Sequence, residues 1–374
     1  MTSVYVYPWD VNGDPAAPDL LASLGASSIV MAAAYHSARA ATPRHPGHRL
    51  VEATSASYVP VRPEAWGALM PSSAAAWAGE DAFNRAAAQL SLPVQAWVVL
   101  THSSAVGRLN PSVCVRNAFG DVYDYALCPS SEEVRTYARV LVGEVARQTG
   151  VEAMVLEACG PMGVGHLGAH EKTAGADWSE VDQALLSICF CSACTAAYAA
   201  AGLEPTCLAA LIREGLGVAG SVEEIGPEAK VVLEVRRRAA ELLRDAVVAE
   251  ARAAGVREIS LHAATDPWAT GPATAVDSVA AGTDSLIAPA WELTDAGVGR
   301  VHELRRLGYG QVGAYVTALP PMPAHADTLA THWQSLLAAG ATELHIYHAG
   351  LASDRRLAAL RAAIASLQPT KEPR

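Results

Sequence analysis

Three cysteines fall within six residues in Cys189-Phe190-Cys191-Ser192-Ala193-Cys194, and a fourth stands apart in Leu127-Cys128-Pro129-Ser130. A C-x-C-x-x-C group plus one distant cysteine supplies four thiolates to a tetrahedral zinc ion and leaves no open position, so such a metal would be structural. The competing assignment is four small buried residues, since a free cysteine packs like a small hydrophobe. Cys114, Cys159 and Cys207 lack this spacing and are assigned to packing. Between the two halves of the thiol set lies an apolar run, Ala153-Met154-Val155-Leu156-Glu157, followed by a turn-rich segment, Ala158-Cys159-Gly160-Pro161-Met162-Gly163. The metal staple would therefore bracket a strand-end carboxylate able to do acid/base chemistry.

Glycosidic-bond cleavage, the chemistry implied by a family resemblance set out below, takes two carboxyl groups flanking the bond. Glu157 supplies one. Candidates for the second are Glu292 in Ala290-Trp291-Glu292, Asp266, Glu171 and Asp10, of which Glu292 is favoured because Trp291 beside it can present a ring face to a sugar. The alternatives are ordinary: Glu292 as an acid at a helix N-terminus, Glu157 as a strand-end acid paired with an arginine. Further polar groups gather near predicted strand ends: Tyr35, His36 and Arg39 after the second, His102 after the third, His262 at the fifth, and Tyr347 with His348 at the eighth. Arg39 offers a planar fork for a carboxylate or phosphate, or a partner for Glu157. Trp97 and Trp291 are the expected sugar platforms. The segment His166-Leu167-Gly168-Ala169-His170-Glu171-Lys172 is too polar for a core; it suits contact with substrate hydroxyls, and less well a divalent metal. Asn117 and Asp121 make a turn.

What must position these groups is legible as a rhythm. Eight apolar runs read as buried parallel strands: Val4 to Tyr7, Ser28 to Ala33, Val94 to Leu100, Ala153 to Glu157, Glu258 to His262, Ser285 to Ala288, Val312 to Val316 and Leu344 to Tyr347. Seven stretches with helical apolar spacing separate most of them: Ala17 to Leu24, Asp81 to Leu90, Glu132 to Gln148, Val231 to Ala254, Val298 to Leu307, Asp327 to Ala339 and Asp354 to Leu367. Strand alternating with helix to a count of eight predicts an α/β fold of the (β/α)8 TIM-barrel type, with a doubly wound open sheet as the alternative. Hydroxyls at Ser130 and Ser131 would cap the helix from Glu132, and glycines at 25, 150, 255, 308 and 340 would end helices. Long loops are expected after the second strand (His36 to about Glu80) and the fourth (Gly160 to about Val231), both at the end where barrels build their sites. Residues 1–368 read as one barrel domain and 369–374 as a tail.

A formal charge of −11 with only three lysines argues against a nucleic-acid partner. No basic n-region and no bilayer-length apolar stretch is present, which predicts a cytoplasmic protein without a membrane partner. Seven cysteines, an odd number, fit a reducing compartment. The preference for Ala and Arg over Lys suggests a bacterial origin. Homo-oligomerisation is left open.

The order of Cys128 before a helix, a strand ending in Glu157, and then the Cys189, Cys191, Cys194 group before another helix resembles the β-galactosidases of glycoside hydrolase family 42. The likeness spans roughly residues 125 to 200. It implies that Glu157 is the general acid/base and that Cys128, Cys189, Cys191 and Cys194 hold a structural zinc. The family's Asn before the glutamate is Leu156 here, and the seventh strand, Gln311 to Ala318, ends without the family's nucleophilic carboxylate. The resemblance is therefore to glycosidase-like relatives of that family, acting on a small sugar or glycoside. Two other functions compete: a lyase or isomerase acting on a modified sugar or sugar acid, and a catalytically silent carbohydrate-binding barrel.

Overall fold

A computed structural model describes residues 1–165 and 172–367 and contains all eight expected strands, closed into one barrel. They are β1 Thr2–Val6, β2 Ser28–Tyr35, β3 Val94–Val99, β4 Ala153–Glu157, β5 Glu258–Ala264, β6 Ser285–Pro289, β7 Val312–Thr317 and β8 Glu343–Tyr347. Neighbours pair in parallel and in chain order, and Val4 of β1 closes the ring by pairing with Ile29 of β2 on one side and Ile346 of β8 on the other. All eight residues of β2 are buried, as expected of a strand covered by barrel packing on one side and helices on the other.

A helix follows every strand: α1 Ala17–Ala22, α2 Ala82–Ala87, α3 Glu132–Thr149, α4 Glu228–Ala253, α5 Val276–Val279, α6 Asp295–Arg306, α7 Ala326–Ala338 and α8 Asp354–Leu367. The sequence shows no signal for α5 because its four residues make a single turn, too short to express a 3.6-residue period. The glycines expected to end helices all have positive φ: Gly25, Gly150, Gly255, Gly308 and Gly340. Ser131 does stand at the start of α3, but its hydroxyl makes no capping bond. Ser130 instead accepts a hydrogen bond from the Cys194 thiol at 3.2 Å. No single helix among the described residues is long and apolar enough to cross a membrane.

Three excursions, rather than two, rise from the C-terminal ends of the strands. Residues 36–81 carry an antiparallel hairpin, Ala38–Ala41 with Leu50–Ala53. Residues 158–227 carry helices Glu180–Leu186, Ser192–Ala200 and Pro205–Gly215. The third, residues 100–131, holds helix Ser104–Leu109 and a second hairpin, Cys114–Arg116 with Val122–Leu127.

The barrel interior is filled by rings. Tyr5 lies 4.9 Å from Trp97 and 5.2 Å from Tyr315, and its hydroxyl sits 3.2 Å from Nδ1 of His345. Gly313 makes room for this layer: a Cβ there would stand 2.7 Å from the His345 ring. Alternation along the strands repeats the inward face one layer higher, at Tyr7, Glu157, Tyr315 and Tyr347.

Candidate active site at the barrel mouth

Glu157 is the last residue of β4, and its register partner on β3 is Val99. Two residues back along β3, on the same face, Trp97 donates its indole N–H to Oε2 of Glu157 at 2.8 Å. The carboxyl group is buried, and loss of water raises its pKa from an ordinary 4.5 to about 7, an effect tempered by the indole hydrogen bond. A cavity of about 500 Å³ opens above it. Its walls are Tyr35 at the end of β2 and His36 just after it, His262 from β5, Trp291 and Glu292 after β6, Tyr315 from β7, Tyr347 from β8, and residues of the 269–273 loop.

Burial keeps three phenols and one imidazole of this wall neutral. Burial, reinforced by the nearby negative charge of Glu157, pushes the phenols of Tyr35, Tyr315 and Tyr347 upward, so they remain O–H donors. Burial pulls His262 down to about 3, so its imidazole carries no charge near neutral pH. His262 meets Tyr315 edge-on at 4.7 Å, and its buried Nε2 has no hydrogen-bond partner among the described residues. A buried polar atom in that state, on a residue that lines a cavity, leaves a hydrogen bond for a ligand to complete. Trp291 stacks on Tyr347 at 5.2 Å. Glu292 differs from Glu157 in environment: it is exposed and ion-paired to Arg300 at 2.5 Å.

Seven residues expected from the sequence therefore line one cavity: Tyr35, His36, Glu157, His262, Trp291, Glu292 and Tyr347. Others are placed elsewhere. Trp97 is wholly buried beneath the mouth and offers no face to a sugar; it holds the acid instead. His102 is buried behind the wall, with its ring stacked on His36 at 4.2 Å. Arg39 is exposed on the first hairpin, opposite Glu52, and neither lines the cavity nor pairs with Glu157. Asp266 is exposed, and Oδ1 accepts from the Trp268 N–H at 2.9 Å, a turn-forming bond. Lys172 is exposed and outside the cavity wall. His166, His170 and Glu171 lie outside the described residues. Asp10 ends the short turn Pro8–Asp10 after β1; its buried carboxylate accepts the Tyr7 N–H at 2.8 Å and lies 3.8 Å from the His348 ring. Asn117 accepts from the Phe119 and Asp121 N–H groups at 2.9 and 3.0 Å, a turn as expected.

Tyr315 and the 269–273 wall are absent from the sequence reading. Tyr315 had a signal: residues 313, 315 and 317 share one face of β7, and a search of that strand for carboxylates alone passes over it.

Replacing Trp97 with Phe removes the hydrogen bond that favours the ionised form of Glu157, so the carboxyl pKa should rise above about 7. The expected readout is an upward shift of the alkaline limb of kcat/KM against pH. A limb that stays in place would disconnect Trp97 from the acid.

The four thiols converge. Cys128, at the foot of the second hairpin, joins Cys189, Cys191 and Cys194 with all four sulfurs buried and within 4.8 Å of one another. The Cys128 and Cys194 sulfurs are 3.5 Å apart, and none of the four is in a disulfide. Metal–sulfur bonds of about 2.3 Å in a tetrahedron place sulfurs about 3.8 Å apart, so the donor set fits a four-coordinate thiophilic ion. The Phe190 N–H donates to the Arg116 carbonyl at 2.6 Å, tying the cysteine group to the hairpin preceding Cys128. Beneath it Arg236 of α4 is buried and donates to the carbonyls of Ser187 at 3.5 Å and Ala269 at 3.1 Å, the latter in the cavity wall. The cluster thus joins the third and fourth loops, and Arg236 connects the fourth loop to the fifth.

No family model matches the chain, and no curated protein matches it. Among solved structures, the PgaB (BpsB) glycoside hydrolase domain from Bordetella bronchiseptica superposes with a TM-score of 0.60 at 17% identity, covering 98% of this chain and 99% of that one. The catalytic domain of β-amylase from Paenibacillus polymyxa superposes with a TM-score of 0.59 at 11% identity, covering 99% of each chain. At such identities the likeness is one of fold, and the fold is a closed (β/α)8 TIM barrel.

Proposed function

We propose that this chain is a glycoside hydrolase-like enzyme in which Glu157 is the proton donor. The observation that carries the reading is one carboxyl group at the C-terminal end of β4, buried, poised at about 7 and facing a cavity walled by aromatic rings. Two neighbours of like fold, a PgaB (BpsB) glycoside hydrolase domain and a β-amylase catalytic domain, support it, as does the resemblance of the cysteine–glutamate order to glycoside hydrolase family 42.

In this mechanism Glu157 enters the reaction protonated and transfers its proton to the leaving oxygen. The indole N–H of Trp97 then stabilises the carboxylate left behind. Glu292, exposed and fixed by its ion pair with Arg300, acts as the second carboxylate, nucleophile or base. Trp291 and Tyr347 offer ring surface to the sugar, while His262 Nε2 and the phenols hydrogen-bond its hydroxyls. Cys128, Cys189, Cys191 and Cys194 would hold zinc as a structural ion that fixes the loops around the mouth. That role leaves the proton chemistry to the chain's own residues.

One observation favours a second reading, a lyase or isomerase: Glu292 already has an ion-pair partner, leaving Glu157 as the unpaired carboxyl group of the wall among the described residues. A panel of nitrophenyl glycosides and oligosaccharides in isotopically labelled water separates the two. Hydrolysis places solvent oxygen in the product. Product that forms without solvent oxygen would replace the hydrolase reading with the second, and saccharide binding without turnover would leave a silent binding barrel.

A further inference from the structure

A second groove lies on the first hairpin, with a volume of about 380 Å³ and a wall that includes Trp77, His48, Leu50 and Glu52. Two large apolar side chains stand open to solvent there, Trp77 at 48% and Leu50 at 54% exposure. The groove is organised. His48 stacks face to face on His45 at 3.6 Å and its Nδ1 lies 2.8 Å from the Thr42 hydroxyl, so its ring is held in place 6.2 Å from Trp77. His45 is in turn anchored to the Asn12 carbonyl at 3.0 Å. Trp77 rests on the buried Trp9 at 5.7 Å, which fixes the indole.

The same contacts lead to the barrel mouth. Trp9 stacks on Tyr7 at 4.3 Å, and Tyr7 meets Tyr35 at 5.1 Å, where Tyr35 lines the main cavity. Both depressions lie at the C-terminal end of the barrel, three ring-to-ring steps apart. An indole platform rimmed by an imidazole and a carboxylate matches a pyranose, which has an apolar C–H face and a rim of hydroxyls. No Arg or Lys lines the groove, which disfavours an anionic ligand.

We propose that Trp77 and His48 form a remote saccharide subsite, so that this protein engages an oligosaccharide whose far end stacks on Trp77 while its cleavable end sits over Glu157. The inference rests on the saccharide reading of the mouth. It makes length a determinant of affinity: short ligands fill the mouth alone, and longer ones gain the second platform.

The test uses the full chain carrying Glu157→Gln, so that ligands bind without turnover, and calorimetry with cello-, chito- and galacto-oligosaccharides of two to six units beside nitrophenyl monosaccharides. Added Trp77→Ala should raise Kd for the long members of the series that binds by about 3- to 10-fold, the worth of one aromatic platform, and leave the monosaccharides unchanged. Trp77→Phe should restore most of the loss, which shows that the ring rather than the fold of the hairpin is being read. Loss of affinity at every length, or no change at any length, would overturn the remote subsite and leave the mouth assignment standing. Failure of the Glu157→Gln parent to bind any saccharide would overturn both.

Discussion

Glu157→Gln should lower kcat by about 10²- to 10⁴-fold, the usual worth of a positioned general acid, while the circular dichroism spectrum and metal content stay as in the parent. The substitution is conservative in shape, and the amide oxygen can still accept the Trp97 N–H. It should also stabilise the protein in alkali. In the folded chain the Glu157 carboxyl titrates at about 7 rather than 4.5, because ionisation must take place away from water. A carboxyl held that way is fully compatible with folding below about 4.5; its cost accrues between 4.5 and 7, where the unfolded chain ionises ahead of the native state, and is complete above 7. Glutamine has no proton to lose, so the variant should gain up to about 3 kcal/mol over the parent above pH 7 and nothing near pH 4. Urea unfolding at the two pH values measures this. Near-normal turnover in the variant would remove Glu157 from the donor role, and equal stability differences at both pH values would contradict the burial argument.

Removing one thiol should have the largest structural effect. In the proposed zinc site Cys191→Ser would remove one of four thiolates, and the remaining three could not hold a tetrahedral ion with comparable affinity. With zinc bound as proposed, the variant is expected to bind it less than stoichiometrically and to melt roughly 5–10 °C lower, a fall of a few kcal/mol. The loss should be local in origin. Hydrogen exchange should quicken at residues 114–128 and 186–200, which the cluster joins, while β1 to β8 remain protected. Prolonged chelation of the parent should reproduce the pattern. Absence of stoichiometric zinc in freshly purified protein, together with an unchanged melting temperature in Cys191→Ser, would reduce the cluster to packing.

The barrel was legible because each strand is a short, mainly apolar run buried in the sheet, and each long helix repeats its apolar residues on one side. Val94 to Val99 and Val312 to Thr317 are such runs, whereas the single-turn helix Val276–Val279 is too brief to carry any period. The hairpin Cys114–Arg116 with Val122–Leu127 also escaped, since its strands are three and six residues long and mixed in polarity. Residue type identified chemistry capable of acid catalysis or metal binding but not where it would point. Trp97 and Trp291 look alike as sugar platforms in the chain; the first is directed into the barrel beneath Glu157, and the second lines the cavity. Arg39 lies only four residues beyond Tyr35, yet the hairpin carries it out to solvent.

From the chain alone came eight strands and seven of the helices between them, the thiol set and the strand-end position of Glu157, all of which are local or periodic properties of neighbouring residues. The tertiary structure alone decided that the four sulfurs meet, that Glu157 is dry enough to hold its proton near neutrality, that Tyr315 joins the wall and that Asp266 does not. Those outcomes depend on which strands become neighbours and how far water reaches between them. Proton affinity and metal geometry are set by such distances and by burial, and neither is a property of any one segment.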